Sequence, residues 1–327
     1  MGRACLVDTT ICTGCRACQV ACKAWNDLPA EKTKFRSKGD GYENPPALSG
    51  RSYTRITFHE ILDDGGNLDR SVFVKRQCMH CEEPACVSAC PVAALQKVKG
   101  ESGSAGAVVY DVEKCLGCRY CMLACPFNVP TFEWDKTVPK IQKCTFCADR
   151  LEAAEPANPQ VNDQPLAGES LERFEDTQRM PACAKACPTG AIEFGEREDL
   201  IAEARRRIEE KKKQRGSWQY VDHIYGEKEV GGTSWLYLAN VPFDKLGFRM
   251  DLGERPYPEY TKLALDAVPP AVIGLGAALG AIHWISNRRA AAEEADGPET
   301  PTGREGEQAE AASEPEKPTS GEGQRAV

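Results

Sequence analysis

The chain has 327 residues, 17 cysteines and a formal net charge of −8. So many cysteines in a chain of this length do not suit a small secreted domain held together by disulfides. Residues 290–327 contain ten acidic and three basic residues, so residues 1–289 are nearly neutral. Because the chain has neither an excess of basic residues nor a known nucleic-acid-binding motif, we expect no nucleic-acid partner.

Sixteen of the cysteines form four motifs of four, and Cys5 is left over as an expected ordinary buried thiol. In chain order the motifs are Cys12, Cys15, Cys18 and Cys22; Cys78, Cys81, Cys86 and Cys90; Cys115, Cys118, Cys121 and Cys125; and Cys144, Cys147, Cys183 and Cys187. Motif one contains "GCRACQVAC", which is similar to "GCRYCMLAC" in motif three. Motif two contains "CVSACP", which is similar to "CAKACP" in motif four.

The remaining elements up to residue 214 surround these motifs. Residues 51–61, 107–112 and 191–196 have the composition of short strands. Residues 148–182, between two cysteines of motif four, are polar and proline-rich, which predicts an inserted surface loop. Residues 196–214 predict an amphipathic helix whose apolar face carries Leu200, Ile201, Ala204 and Ile208.

The C-terminal part predicts one membrane helix and a disordered acidic tail. Residues 267–287 contain no Asp, Glu, Lys or Arg, and as a helix they span about 31 Å. Pro270 then lies near the first turn, and Gly276 and Gly280 form a G-x-x-x-G pair. The alternative is a buried core helix. Residues 290–327 have almost no large apolar side chain, which predicts disorder.

The cysteine spacing favours iron–sulfur clusters over zinc or disulfides. Structural zinc sites use two C-x2-C pairs with a longer linker. Here C-x2-C-x2-C-x3-C occurs twice, at Cys12 to Cys22 and at Cys115 to Cys125. This is the run of bacterial ferredoxins, in which the fourth cysteine is a ligand of the other cluster of a two-cluster domain.

The motifs must therefore pair, with the fourth cysteine of each crossing to its partner. Motifs two and three are adjacent and both end in Cys-Pro, so motifs one and four form the other pair; motif one has Lys23 in place of the proline. Four [4Fe–4S] clusters are expected, one for each ligand set. The predicted sets are Cys12, Cys15, Cys18 and Cys187; Cys22, Cys144, Cys147 and Cys183; Cys78, Cys81, Cys86 and Cys125; and Cys90, Cys115, Cys118 and Cys121.

The predicted fold class is α+β, with two bacterial-ferredoxin-like domains, one inserted in the other, a C-terminal transmembrane helix and a disordered tail. Residues 1–60 and 140–225 form the outer domain and 61–139 the inserted domain. Residues 226–266 form a partner-contacting linker, 267–287 the membrane helix and 290–327 the tail.

No catalytic residues are predicted. The four histidines, His59, His80, His223 and His283, are scattered, and no nucleophile triad or phosphate-binding loop is present in the sequence. His80 is expected to pack or hydrogen-bond rather than bind metal. His283 is expected to pack at the membrane interface or to contact a cofactor of a membrane partner. Four clusters without a substrate site indicate electron transfer.

The chain resembles the iron–sulfur (beta) subunit of membrane-bound respiratory formate dehydrogenases. It is also similar to four-cluster electron-transfer subunits of other molybdopterin oxidoreductases and of hydrogenase-2 type enzymes. The resemblance runs from about Leu6 to Arg289 and rests on the stretches "CTGCRACQVACKAWND", "YENPPALSGRSYTRITFHE", "CMHCEEPACVSACP", "CLGCRYCMLACPFNVP", "CPTGAIEFG" and "VGGTSWLYL". Residues 148–182 depart from the pattern, being longer than formate dehydrogenase usually has.

The resemblance implies electron relay from a molybdopterin (Mo or W) catalytic subunit to a membrane cytochrome b or quinone-reactive subunit in the lipid bilayer. The domain of motifs one and four would face the catalytic subunit. A hydrogenase partner and a free-standing membrane-tethered polyferredoxin are the alternatives. The N-terminus has no room for an export signal, while Arg288 and Arg289 after the span favour a cytoplasmic C-terminus. The family resolves this by co-export with the catalytic partner, which implies a periplasmic globular part.

Overall fold

A three-stranded sheet joins sequence segments that are far apart in the chain. The computed structural model describes residues 2–33, 42–100, 102–152, 179–214 and 218–295. Strand β1 (Arg3–Asp8) is central; it pairs antiparallel with β8 (Ile192–Glu196) and parallel with β9 (Trp235–Leu238). All four residues of β9 are buried. The predicted linker 226–266 therefore contains a strand of this sheet, and its contact with a partner stays a prediction.

Three antiparallel strand pairs lie between β1 and β8 in sequence. They are β2 (Arg55–Leu62) with β3 (Leu68–Arg76), β4 (Leu95–Lys97) with β5 (Val108–Tyr110), and β6 (Thr131–Phe132) with β7 (Ile141–Gln142). The strands predicted at 51–61, 107–112 and 191–196 are confirmed as β2, β5 and β8, with shifted ends. Residues 51–54 precede β2, and Ser49 and Ser52 bridge there instead.

Among the residues that the structure describes, five short helices lie in or beside the cysteine motifs. They are α1 (Ala17–Trp25), α2 (Ala85–Ser88), α3 (Tyr120–Ala124), α4 (Ala148–Glu152) and α5 (Ala182–Lys185). Helix α1 packs against α5, and α2 packs against α3. Motif one thus lies beside motif four and motif two beside motif three, which is the pairing that the sequence predicts.

The predicted amphipathic helix is confirmed as α6 (Arg197–Lys213). Its apolar face, Leu200, Ile201, Ala204 and Ile208, is buried against Leu6, Leu236 and Leu238 of the sheet. Glu198 and Asp199 open the helix and Lys211 to Lys213 close it, so both ends complement the helix dipole. This helix covers one face of the sheet and leaves the other face to the cysteine motifs.

Helix α7 (Tyr257–Ala295) is longer than the predicted span. It begins ten residues before 267, so Pro269 and Pro270 lie inside the helix rather than in its first turn. Proline has no N–H for the preceding turn, a loss that membrane helices tolerate better than soluble ones. The first six residues of the predicted tail, 290–295, are helical, and the rest of the tail lies outside the described residues.

By internal contacts, residues Met1–Asp266 form one compact unit and Ala267–Val327 a second. The hairpin of β2 and β3 crosses the predicted boundary between residues 60 and 61. The nesting of one ferredoxin-like domain in another stays a prediction. Most of the predicted insertion, residues 153–178, lies outside the described residues.

Candidate metal centres

A residue with positive φ precedes the second cysteine of each motif. These residues are Gly14 (φ 66), His80 (φ 50), Gly117 (φ 73) and Phe146 (φ 64). A left-handed residue turns successive backbone N–H groups toward one side, which favours binding of an anionic group. At Gly117 a side chain is excluded, because a Cβ there would lie 2.7 Å from the carbonyl oxygen of Pro139.

The third cysteine of motifs one and three lies on a helix that begins in the same unusual way. Arg16 (φ 65, ψ 9) caps α1 and Arg119 (φ 67, ψ 6) caps α3, both in the left-handed conformation. Helix α3 then ends at Ala124, and Cys125 is extended before Pro126, as expected of a residue that precedes proline. Helix α1 continues past Cys22 to Trp25 because Lys23 replaces that proline.

Backbone N–H groups approach several of the sulfur atoms. The N–H of Ala94 donates to Cys90 Sγ at 3.2 Å, and the N–H of Phe146 donates to Cys144 Sγ at 3.4 Å. Burial raises the pKa of Cys125 to about 11, although N–H groups of Val129, Phe127 and Asn128 favour its thiolate. These donors are the partners that a thiolate bound to a cluster requires.

The thiols lie in four groups, which we call A to D. Group A is Cys12, Cys15, Cys18 and Cys187; group B is Cys22, Cys144, Cys147 and Cys183; group C is Cys78, Cys81, Cys86 and Cys125; and group D is Cys90, Cys115, Cys118 and Cys121. In each group, three cysteines come from one motif and one from the paired motif. Electrostatic interactions between the thiols define which of them are neighbours.

Groups A and B combine motifs one and four. Burial, then Cys187 and Cys15, raise the pKa of Cys12. One cavity is lined by all four cysteines of group A. In group B, burial and then Cys183, Cys144 and Cys22 raise the pKa of Cys147. The fourth cysteine of each of these motifs thus lies among the cysteines of the other.

Groups C and D combine motifs two and three in the same way. Burial raises the pKa of Cys81, and the thiols that raise it further are Cys125, Cys78 and Cys86. Burial also raises the pKa of Cys121 to about 12, together with Cys115, Cys118 and Cys90. Cys125 therefore lies with the first three cysteines of motif two, and Cys90 with those of motif three.

Electrostatic interactions between neighbouring groups place them in a row. Cys183 of group B raises the pKa of Cys18 of group A. Cys78 of group C raises that of Cys144 of group B, and Cys121 of group D raises that of Cys86 of group C. The order is A, B, C, D. All of group B is buried, whereas the two exposed cysteines, Cys15 and Cys118, belong to the end groups.

The donor sets fit [4Fe–4S] clusters better than single metal ions. A zinc ion with Zn–S bonds of about 2.3 Å holds its four sulfurs about 3.8 Å apart. Among the described residues, no three His, Cys, Asp or Glu side chains are placed to hold one metal ion. A [4Fe–4S] cluster binds each of its four cysteines through a different iron atom, so the cysteine sulfurs lie farther apart. Burial and the neighbouring thiols raise the pKa of Cys18 and Cys144, so thiolates at these positions need a cationic core such as that of an iron–sulfur cluster to compensate their charge.

Two buried lysines lie among the cysteine groups. Lys143 donates to the carbonyl oxygens of Val108 and Cys144, and Lys75 lies among Cys183, Cys18 and Cys144. Five cations are next to a motif cysteine in sequence. Only Lys143 is buried; Arg16, Lys23, Lys114 and Arg119 are not. Sequence reasoning missed Lys75. Its signal is a lysine within the apolar strand "SVFVKRQC", three residues before Cys78.

His80 and Cys5 also lie in the interior near the cysteines. The Nδ1 atom of His80 accepts from the N–H of Val108 at 2.8 Å, so Nε2 carries the proton. That Nε2 is one of three buried polar side-chain atoms without a partner among the described residues, with Thr54 Oγ1 and Trp235 Nε1. Cys5 is fully buried on β1, and burial followed by Cys183 raises its pKa.

The other three histidines have hydrogen-bond partners outside the cysteine groups. His59 Nε2 lies 2.8 Å from Thr57 Oγ1. His223 Nε2 pairs with Glu229 Oε1 at 2.6 Å, and His283 Nε2 lies 3.0 Å from Asn287 Nδ2 within α7. No histidine, serine or carboxylate among the described residues forms a nucleophile triad with them.

Residues 70–162 match the model of a 4Fe-4S dicluster domain. Over the whole chain, the relatives include a protein of Nitratidesulfovibrio vulgaris, 40% identical over 295 residues that cover 89% of this chain and 69% of the relative. The hydrogenase-2 operon protein HybA of Escherichia coli O157:H7 is 34% identical, covering 74% and 71%. The formate dehydrogenase-O iron-sulfur subunit of Escherichia coli K12 is 32% identical, covering 86% and 82%.

This chain belongs to the family of those iron–sulfur subunits. The resemblance predicted from the sequence is confirmed, and so are [4Fe–4S] clusters as the cofactor of the family member described here. The dicluster match includes motifs two and three and the first two cysteines of motif four. The predicted function of an electron-transfer subunit is confirmed at the level of the family.

Proposed function

We propose that this chain relays electrons through four [4Fe–4S] clusters held by groups A to D. In this proposal a molybdopterin catalytic subunit of a respiratory formate dehydrogenase delivers electrons, and a membrane cytochrome b or quinone-reactive subunit receives them. The chain itself is not catalytic. Support comes from relatives whose names include formate dehydrogenase iron-sulfur subunits.

The row of cysteine groups is the observation that carries this proposal. Each group adjoins the next, and the exposed cysteines Cys15 and Cys118 belong to groups A and D at the two ends. An electron-transfer protein needs an accessible centre at each end, where electrons enter and leave, and protected centres between them. Groups A and D contain the exposed cysteines, and all cysteines of group B are buried.

When bound, each cluster supplies a one-electron redox centre whose potential depends on nearby charge, hydrogen bonds and solvent. The chain's own residues set these surroundings. The buried cysteines of group B exclude water, and backbone N–H groups donate to sulfurs in groups B, C and D. Lys143 places a cation near Cys86 of group C.

Large apolar side chains surround the exposed end of the row at group D. Leu116, Tyr120 and Leu123 of motif three are 63%, 58% and 78% exposed, and Trp134 is 59% exposed. A soluble surface rarely carries so many large apolar groups around one redox centre. We assign this surface to the contact with the electron-accepting partner.

Helix α7 supports attachment to a membrane. An apolar stretch long enough to cross a bilayer lies within Tyr257–Ala292, with a mean hydropathy of 1.7, and its large apolar side chains are exposed. We propose a cytoplasmic C-terminus and a periplasmic cluster-binding part, as the resemblance to co-exported subunits implies; Arg288 and Arg289 directly follow the span. Protease added to spheroplasts should digest the cluster-binding part; complete protection would contradict a periplasmic location.

A hydrogenase is the second candidate partner because HybA, a hydrogenase-2 operon protein, covers a similar share of the chain. Isolating the native complex without oxygen separates the candidates. Molybdenum or tungsten with a formate-oxidising subunit supports the first candidate, and nickel supports the second. Purification of the chain as a lone monomer, or with far fewer than about 16 irons, would contradict the proposal.

A further inference from the structure

Lys75 is a buried cation without a counter-ion of its own. It lies on β3 opposite Ile56 of β2, and its side chain is almost fully buried. Its Nζ donates to Gln77 Oε1 at 3.0 Å and lies 3.9 Å from the centre of the Trp235 ring. Within the described residues, no carboxylate forms an ion pair with it.

The residues around Lys75 fix it in this position. The amide of Gln77 donates to the Tyr237 hydroxyl at 2.7 Å, and that hydroxyl donates to the carbonyl oxygen of Lys75 at 2.8 Å. Tyr237 and Trp235 are themselves fully buried in β9. The ammonium group thus has one neutral acceptor and one aromatic face. These do not compensate a full charge taken out of water.

The charges that face Lys75 come from two cysteine groups. Lys75 lines the same cavity as Cys12, Cys15, Cys18 and Cys187 of group A. Its strongest electrostatic partners are Cys183 of group B, Cys18 of group A and Cys144 of group B. The titratable groups that interact with it from the packed elements are these thiols, Cys5, Cys22, His80 and the Tyr237 hydroxyl. Lys75 therefore lies between groups A and B.

We propose that Lys75 is the shared counter-ion of the clusters at groups A and B, and that its charge raises the reduction potential of both. The inference rests on the proposed function, since it requires a cluster at each group. A [4Fe–4S] centre with a 2+ core and four thiolates has a formal charge of −2, which becomes −3 on reduction. A fixed cation nearby favours the more negative form.

Lys143 and Lys97 differ from Lys75 because carbonyl or carboxylate oxygens of the polypeptide bind their ammonium groups. Lys143 donates to two carbonyl oxygens, and Lys97 forms an ion pair with Glu82 at 3.2 Å and also donates to carbonyl oxygens of His80 and Gly106. Lys143 acts on Cys86 of group C, and Lys97 acts on Cys81 and Cys78 of the same group. Neither is placed between groups A and B.

Lys75→Met tests the inference, because methionine keeps most of the volume and removes the charge. The holo-complex is titrated with redox mediators and followed by EPR and visible absorption. We expect two of the four reduction steps to move to lower potential, each by at least tenfold in the reduction equilibrium, or about 59 mV for one electron. The matched control Lys97→Met should leave those two steps in place and shift a different one, because Lys97 acts on Cys81 and Cys78 of group C.

Three results would overturn the inference while leaving the proposed function intact. They are four unshifted steps in Lys75→Met, a shift of all four steps, and loss of all clusters in both Lys75→Met and Lys75→Gln. Selective loss of the clusters at A and B, with those at C and D retained, would support the counter-ion role. A wild-type complex without four clusters would instead contradict the proposed function.

Discussion

Cys125 is the residue that best separates interlocked motifs from motifs that close on themselves. It follows Cys121 by four residues, and a continued helix would hold the two side chains on one face. Instead α3 ends at Ala124, Cys125 is extended, and its thiol lies with Cys78, Cys81 and Cys86. The extended Cys125 before Pro126 thus brings a thiol of motif three among the first three cysteines of motif two.

We therefore predict that Cys125→Ser and Cys81→Ser remove the same cluster, and that Cys121→Ser removes another. EPR spectra of the reduced holo-complexes measure this directly, because each loss deletes one component of the signal. Cys5→Ala is the control, since Cys5 belongs to none of the four groups, and it should retain every component. If Cys125→Ser and Cys121→Ser delete the same component, the motifs are closed and the ligand sets are wrong.

His223 and Glu229 form a pair whose contribution to stability depends on pH. The hydrogen bond with Glu229 raises the pKa of His223 above its ordinary 6.5. Burial raises the pKa of Glu229, but the hydrogen bonds from His223 and from backbone N–H groups outweigh it and lower this pKa below 4.5. The pair is fully charged, and stabilises most, between these two values.

His223→Gln should therefore weaken the local structure near pH 5 to 6 and have little effect at high pH. The stabilisation from His223 is complete below pH 6.5 and is lost as the pH rises through its raised pKa. Hydrogen exchange of the Gly226 amide, which donates to Glu229 Oε2 at 2.7 Å, reports this. Lys136→Gln is the control, because Lys136 pairs on the surface with Glu133 and has no part in the His223–Glu229 pair. An equal effect of His223→Gln at all pH values would contradict the linkage.

Among the secondary-structure elements, those that depend on neighbouring residues can be predicted from the sequence, whereas those that depend on contacts with distant segments cannot. The cysteine spacing, the apolar face of α6 and the strands β5 and β8 depend on a few neighbouring residues, and the structure contains them. Strand β9 was assigned to a linker because its burial depends on pairing with β1, which is more than 220 residues earlier. Lys75 was missed because its neighbours come from motifs one and four.

In helix α7, too, one feature can be predicted from the sequence and another cannot. Its apolar composition indicated the span, but its start at Tyr257 could not be deduced, because two prolines usually mark a helix start rather than an interior. The residues Leu275, Leu279 and Ile282 are 57% to 63% exposed within it. Such exposure is stable only where lipid or another protein replaces water.

We predict that Leu275→Arg weakens membrane attachment. An arginine at the centre of a span costs about 2.5–3.5 kcal/mol on insertion scales, so the variant should be extracted from membranes by an alkaline carbonate wash far more than the wild type. Ala291→Arg, on the exposed C-terminal part of the same helix beyond Arg289, is the control and should stay in the membrane fraction. Equal retention of both variants would argue against a membrane span.

For the molecule as a whole, groups A, B, C and D follow one another in a single row. Cys183 of group B acts electrostatically on Cys18 of group A, and Cys78 of group C acts on Cys144 of group B. We therefore predict that electrons crossing the row pass through group B, and that removal of this one group interrupts the path.

Cys147→Ala tests this series arrangement. Cys147 is a buried member of group B, and we expect its loss to reduce electron transfer from substrate to quinone to background in the holo-complex. Reduction of a dye that takes electrons at the catalytic subunit should continue at the wild-type rate, because the reaction at that subunit does not require this chain's clusters. Cys5→Ala is a close control, since Cys5 is equally buried and interacts electrostatically with Cys147. Quinone reduction that persists in Cys147→Ala, with the group B signal absent from EPR, would mean that electrons bypass group B and that the row is not the path.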